Sequence, residues 1–423
     1  MGAIRSHQKR AKCPLMYNPR RSRPPGARNI PKLLRRPPGA TVLALKWRQR
    51  RAQHAIPACA PREGIGLKTV AEFAIKYCQF LDAAGNLAPD APPLASDTGE
   101  LLRMYRFMTL VRTFDTKAVN LQRTGKLGTY ASCLGHEAAH VGVAAAMHQD
   151  DVLVPVYREF GSQIWRGVKM STILTFWGGD ESGSNFTAAR EDFPWCVPIA
   201  SQMLHGAGVA MAMKIKGEKR CSVTYIGDGG TSEGAFYEGI NLAGARSLPA
   251  VFVIVNNRWA ISVPIEQQTA TQTLAQKAVA AGIPGVQVDG NDIIAVRHIV
   301  GEAVARARRG DGPTLIEALT YRLSDHTTAD DASRYRDQGE VKEAWEKEPL
   351  LRLRAYLTKL KVWDDAREQA LKAECAREIE AAVDQYLSGP KPSTDAMFDH
   401  LFANPPKGLL EQREIARRYA SGH

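Results

Sequence analysis

Apolar residues follow two rhythms along this chain. Short runs at 152–156, 222–226, 250–255, 285–288 and 314–321 are rich in β-branched residues and nearly continuous, the pattern of strands buried on both faces. Between them, apolar residues recur three and four positions apart and predict helices. The first covers 98–122, with Leu101, Leu102, Tyr105, Met108, Val111 and Leu121 apolar. Others cover 136–147, 161–165, 172–177, 201–216, the stretch carrying Phe236, Ile240 and Ala243, 268–281 and 293–307. Strands alternating with helices predict an α/β fold with a doubly wound, mainly parallel sheet. Past Arg336 the pattern is helical only, at 340–359, 366–386 and 409–418. A helical C-terminal part is therefore expected, with no second set of strands.

The same patterning divides the chain. Residues 1–68 are rich in Arg and Pro, show no sustained apolar period and cannot bury a core. Residues 69–97 read as an arm and a Pro-rich linker, 98–336 as the α/β domain, and 337–423 as a helical region packed on it. Charge follows this division. Of the net +12, residues 1–68 carry 17 Lys and Arg against one acid, Glu63, which leaves 39 basic and 43 acidic residues elsewhere. The body is mildly acidic, so nucleic acid is not its expected partner. The basic segment has three readings: an electrostatic nucleic-acid-binding arm, a targeting segment, or an extension from an upstream start codon. Disorder is expected in each. Seven scattered cysteines, an odd number with no CxxC pair, argue for free thiols in a reducing compartment. No apolar stretch approaches the roughly 18 residues that span a membrane.

Candidate chemistry concentrates at strand ends. The run 222–226 stops in Gly227-Asp228-Gly229-Gly230, a helical stretch follows, and the run 250–255 stops in Asn256-Asn257. Glycines let the backbone approach an anion, and a following helix aims free N–H groups at it. A carboxylate there, Asp228, repels phosphate unless a cation lies between them. Asn257 can offer a second oxygen, and Mg²⁺ shares its six oxygens with substrate phosphates. The stretch thus predicts a Mg²⁺-diphosphate site at the carboxyl ends of two strands. Tyr157-Arg158 and Arg322 also follow strands, where two arginines could clamp a diphosphate. His326, in the polar loop beyond Arg322, could bond that anion or move protons. Two rival motifs are weaker. His136-Glu137-Ala138-Ala139-His140 matches the HExxH helix of zinc peptidases, with Glu159 as a conceivable third ligand, but Val143 stands where the metzincin form needs Gly. A dinucleotide fingerprint fails at Ser232 and at Asn256.

GDG, then 26 residues, then NN resembles the thiamine-diphosphate motif. From about Thr69 onward the chain is similar to the alpha subunit of the pyruvate dehydrogenase decarboxylase component, of the 2-oxo acid dehydrogenase family. The segments TLAQKAVAAGIPGVQVDGND, GPTLIEALTYR and DHTTADDASRYR carry this likeness in order and spacing. The resemblance implies a thiamine-diphosphate-binding fold and thiamine-diphosphate- and Mg²⁺-dependent oxidative decarboxylation of pyruvate, with the acetyl group passed to a lipoyl domain. Branched-chain 2-oxo acids or acetoin are the alternatives. It makes Asp228, the Asn257 side chain and the Trp259 carbonyl the metal ligands. Tyr157, Arg158, Arg322 and the N–H groups of Gly229 and Gly230 would hold the diphosphate, and backbone atoms near Val197 and Ile199 would meet the aminopyrimidine. His326 matches the loop histidine linked to cofactor binding and acyl transfer. Asp325, just before it, is expected to raise that histidine's pKa or repel phosphate. The implied partners are a beta subunit, in an α2β2 assembly, and a lipoyl-bearing acyltransferase. The implied location is the cytoplasm of a bacterium, or the mitochondrial matrix of a eukaryote.

Overall fold

The computed structural model describes residues 67–420, so nearly all of the basic segment 1–68 lies outside the described residues. The chain divides into two units between Glu72 and Phe73. Of the first unit, residues 67–72 are described; they are exposed and have no regular structure.

The second unit begins with strand β1 (Lys76–Cys78). Helices α1 (Thr98–Arg123) and α2 (Glu137–Ala146) lead to β2 (Val152–Val154). The short α3 (Phe160–Trp165) and α4 (Met170–Trp177), then α5 (Ser201–Lys216), precede β3 (Ser222–Gly227). Next come α6 (Gly234–Ala245), β4 (Ala250–Asn256), the pair β5 (Trp259–Ala260) and β6 (Val263–Pro264), and two single turns, α7 (Ile265–Gln268) and α8 (Lys277–Ala280). The α/β part closes with β7 (Gly285–Asp289), α9 (Ile293–Arg309) and β8 (Thr314–Leu319). Helices α10 (Gln338–Trp345), α11 (Pro349–Lys359), α12 (Asp365–Leu387), α13 (Ala396–Asp399) and α14 (Lys407–Ala420) follow.

The main sheet has the order β1-β7-β8-β4-β3-β2, and every pairing in it is parallel. This is the predicted doubly wound sheet. Its two faces separate by residue parity, because successive side chains on a strand point to opposite sides. On β4, Val251, Val253 and Val255 join one core cluster with Ala139 and Val143 of α2 and Val296 and Val300 of α9. Ala250, Phe252 and Ile254 join the other, with Met203 and Ala207 of α5 and Phe236 and Ile240 of α6. A third cluster lies beyond the sheet, where Leu353 and Leu357 of α11 and Leu371, Cys375 and Ile379 of α12 pack on Leu101, Met104 and Met108 of α1.

Three predicted elements differ. The arm at 69–97 contributes β1, which pairs Lys76–Cys78 with Val286–Val288. The Asp292 carboxylate fixes it there by accepting from the N–H groups of Phe80 and Leu81 while capping α9 through Ile294 and Ala295. The predicted helix at 268–281 shrinks to α8. Thr269, Thr273 and Gln276 spend their side chains on neighbouring backbone N–H groups, which competes with the helix. The predicted helix at 340–359 breaks into α10 and α11 because Pro349 has no N–H to continue it, and Glu348 caps the new start.

Candidate functional site

Parallel strands end on a common edge, so the adjacent β2, β3, β4 and β8 deliver their following residues side by side. Tyr157 and Arg158 follow β2, Asp228 follows β3, Asn257 follows β4, and Arg322 lies three residues past β8. The β4 and β8 extensions stay joined, Thr320 N–H to the Asn256 carbonyl and Arg322 N–H to that of Asn257.

Arg158 and Arg322 converge on His326. One Arg158 nitrogen lies 3.2 Å from His326 Nδ1 and one Arg322 nitrogen lies 3.4 Å from it. Arg158 also donates to the carbonyls of Ser132 and His326. Arg322, fully buried, donates to the carbonyls of Trp259 and Ile261 and to the Tyr335 hydroxyl, while its Nε has no partner. Among the described residues every hydrogen-bond partner of both guanidiniums is thus neutral. Burial pulls the Arg322 guanidinium below its ordinary range, and the charges of Arg158 and Arg336 add to that. Two buried guanidiniums whose hydrogen bonds all go to neutral groups, with the Asp330 carboxylate acting on Arg322 only through space, favour a bound anion.

Guanidinium N–H groups can only donate, so His326 Nδ1 must accept and the ring's proton sits on Nε2. Burial first, then Arg158 and Arg322, lower the His326 pKa to about 4. This corrects the expected effect of Asp325. That carboxylate turns away and accepts from Ala332 N–H at 2.9 Å. The acid beside His326 is Asp330, which accepts from the His326 N–H and from the Tyr335 hydroxyl.

Asp228 is 2% exposed. Burial pushes its carboxyl up, opposed by the Gln268 amide, by the N–H groups of Asp228 and Asn257, and by the Arg322 charge. The Asn257 side-chain oxygen accepts from Trp259 N–H at 3.1 Å, which aims the loop carrying the Trp259 carbonyl. That loop holds Arg258 and Ile261 at φ of 74° and 53°, a strained left-handed conformation for side-chain-bearing residues. The glycine turn needs its glycines: a Cβ at Gly229 would lie 2.6 Å from Ala260 Cβ, and one at Gly230 2.7 Å from Ile226 Cγ1. A buried carboxylate after β3, with an amide oxygen after the adjacent β4, has the donor chemistry that would hold a divalent cation.

Val197 and Ile199, on the loop before α5, are half exposed. They join Tyr157 and His326 around an apolar recess of about 540 Å³, with Gly128, Thr129, Ala131, Phe176 and Trp177 on its other walls. The sequence reading missed Phe176, Trp177, Tyr335, Asp330 and Gln268. The acidic, aromatic run 330–336 was a signal for Tyr335 and Asp330; nothing local pointed to Gln268.

The HEAAH motif is not a zinc site. Glu137, its required base, is bound instead to Arg112 and to the Gly135 N–H. Among the described residues no cluster of three or more His, Cys, Asp and Glu side chains could hold a metal ion. His136 and His140 are buried with no ring nitrogen hydrogen-bonded, and burial takes the His140 pKa down to about 3.

The profile of the family described as "Dehydrogenase E1 component" matches residues 105–395. The chain is 41% identical over 338 residues to "3-methyl-2-oxobutanoate dehydrogenase subunit alpha" of Mycobacterium tuberculosis, covering 78% of this chain and 92% of that one. It is 42% identical over 333 residues to "Pyruvate dehydrogenase E1 component subunit alpha" of Acholeplasma laidlawii, covering 78% and 96%. The Staphylococcus aureus protein of that name is 39% identical over 345 residues, covering 81% and 93%. With the strand-end geometry and these matches together, the chain belongs to the dehydrogenase E1 component family, as an alpha subunit of a 2-oxo acid dehydrogenase.

Proposed function

We propose that the chain binds thiamine diphosphate through Mg²⁺ and serves the oxidative decarboxylation of pyruvate, the acetyl group passing to a lipoyl domain. The observation that carries this reading is the convergence of Asp228, Asn257, Arg158 and Arg322 from four adjacent strand ends. When bound, thiamine diphosphate supplies the carbon nucleophile and the electron sink that loss of CO₂ requires. Asp228, the Asn257 side chain and the Trp259 carbonyl are the metal ligands in this reading. Arg158, Arg322, Tyr157 and the Gly229 and Gly230 N–H groups hold the diphosphate. Backbone atoms at Val197 and Ile199 orient the aminopyrimidine. His326 keeps its proton on Nε2, where it can donate to the reacting acyl group or its lipoyl acceptor. A beta subunit and a lipoyl-bearing acyltransferase complete the system, in a bacterial cytoplasm. In a second reading the substrate is a branched-chain 2-oxo acid. The volume of about 540 Å³ and the apolar walls of the recess beside Tyr157 and His326 favour it, and so does the name of the M. tuberculosis relative.

Calorimetry on the full chain with its beta subunit tests the site. Asp228→Ala and Asn257→Ala should each weaken thiamine diphosphate binding by more than the ~10–100-fold that loss of an outer-shell partner costs. The circular dichroism should be unchanged. Wild-type affinity in either variant refutes the assignment. Steady-state rates on pyruvate against 3-methyl-2-oxobutanoate then separate the two substrates.

A further inference from the structure

Glu317 is a carboxylate in the middle of β8, 1% exposed. It pairs in register with Ile254 of β4 and shares the sheet face of Leu315, in the apolar layer under α5 and α6. A carboxylate in such a place is costly unless its oxygens are fully bonded. Three N–H groups do this. Oε1 accepts from Asn256 Nδ2 at 2.7 Å, and Oε2 accepts from Ala275 N–H and Gln287 Nε2, each at 3.0 Å.

Asn256 passes the constraint on. Its Nδ2 is taken up by Glu317, and its Oδ1 accepts from Arg258 N–H at 3.1 Å. Both ends agree on one orientation of the amide, because a flip would set oxygen against a carboxylate and an NH₂ against an N–H. One residue on, Asn257 Oδ1 accepts from Trp259 N–H at 3.1 Å. The two turns overlap on 256–259, the stretch that carries the amide oxygen and the carbonyl assigned to the cation. Between these ligands Arg258 is held at φ 74°, a conformation that persists only where the surroundings enforce it. Among the described residues Glu317 is the only acceptor for Asn256 Nδ2.

We propose that Glu317 is a positioning residue for the metal loop: by orienting the Asn256 amide it holds the turn at Arg258, and through it the Asn257 oxygen and the Trp259 carbonyl. This rests on the cofactor reading above and gives a role to a buried acid outside the ligand set of that reading.

Mn²⁺ is the probe, counted by the electron paramagnetic resonance of the free ion. It is titrated into the full chain with its beta subunit at saturating thiamine diphosphate. Glu317→Leu removes the acceptor and should weaken Mn²⁺ binding about tenfold, the lower end of what loss of an outer-shell partner costs. The Asn256 carbonyl keeps its bond from Thr320 N–H, so the strand end itself should stay in the sheet. Glu317→Gln still offers an oxygen to Asn256 and should recover most of the affinity. Gln287→Leu removes a bond from the same carboxylate without touching Asn256; it should lower the melting temperature and leave Mn²⁺ affinity at the wild-type value. If Glu317→Leu does not fold, Asn256→Ala breaks the same link from its other end and should show the same loss. A carboxylate that only stabilises the sheet would lower the melting temperature in every variant with Mn²⁺ affinity unchanged. Wild-type affinity in Glu317→Leu or in Asn256→Ala, or an equal loss in Gln287→Leu, overturns the proposal. A wild type that takes up no Mn²⁺ with thiamine diphosphate overturns the cofactor reading and this proposal with it, so the two failures are told apart by the wild type.

Discussion

His326 is held between two positive charges and titrates far from its usual range. Its folded pKa of about 4 lies below the ordinary 6.5, so the unfolded chain binds more protons between those values. Stability should therefore be full above about pH 6.5 and fall as the pH drops toward 4. His140, at about 3, extends the loss further into acid. Asp330, which accepts from the His326 backbone N–H, opposes the shift. His326→Gln should remove on the order of 1–2 kcal/mol of that acid loss, a figure discounted for the ring's partial exposure. The urea midpoint followed from pH 7 to pH 4 measures it, and an unchanged slope refutes it. The same variant should impair acyl transfer more than folding. Asp228 and Asn257 were legible in the sequence because each sits at the end of an apolar run, at a fixed distance from a glycine turn. Gln268 was not, because its contact with Asp228 is made across 40 residues and two loops. Of the two effects expected of Asp325, the raised His326 pKa is not found, because adjacency in sequence says nothing about which way a loop carboxylate turns.

Helix α5 owes its closeness to the sheet to one missing side chain. A Cβ at Gly206 would lie 1.9 Å from Thr224 Oγ1 on β3. That hydroxyl is buried and makes no hydrogen bond. Gly206→Ala should therefore cost about 1–3 kcal/mol through overpacking. Thr224→Ala should return part of it in the double variant, because it removes the clashing oxygen at little cost in bonding. Additive losses in a double-mutant cycle of denaturant midpoints would count against the contact. The bounds of α5 were legible in the sequence from its small-residue period. The break at Pro349 and the collapse of 268–281 into α8 were not, because apolar period alone ignores the missing N–H of Pro349 and the side-chain bonds of the Thr and Gln residues. Strand β1 was invisible for a different reason: three residues, only one of them even partly buried, make no period.

Apart from β1, the doubly wound sheet was readable because its strands leave nearly continuous apolar runs. The proposed beta partner bears on what the fold leaves uncovered. On α5, Leu204 is 40% and Ile215 79% exposed, and Tyr237 of α6, the helix packed against α5, is 40% exposed. The helices after Arg336 add no further strand ends among the described residues. In the proposed reading the chain supplies the metal and diphosphate half of a site shared with a beta subunit, in pairs as α2β2. Purified by itself it should not decarboxylate pyruvate, and added beta subunit should restore turnover. Substantial CO₂ release by the isolated chain, shown free of partner by mass spectrometry, would overturn that. The arrangement of the sheet also fixes an order of assembly. Gln79, just after β1, bonds to Asp289 across 210 residues, and among the described residues β1 has no strand neighbour but β7. During synthesis the first of the described strands to leave the ribosome can thus pair only after β7 has followed it. Until β7 has emerged, residues 76–81 have neither their strand partner nor the Asp292 carboxylate, so this edge of the sheet is expected to close late.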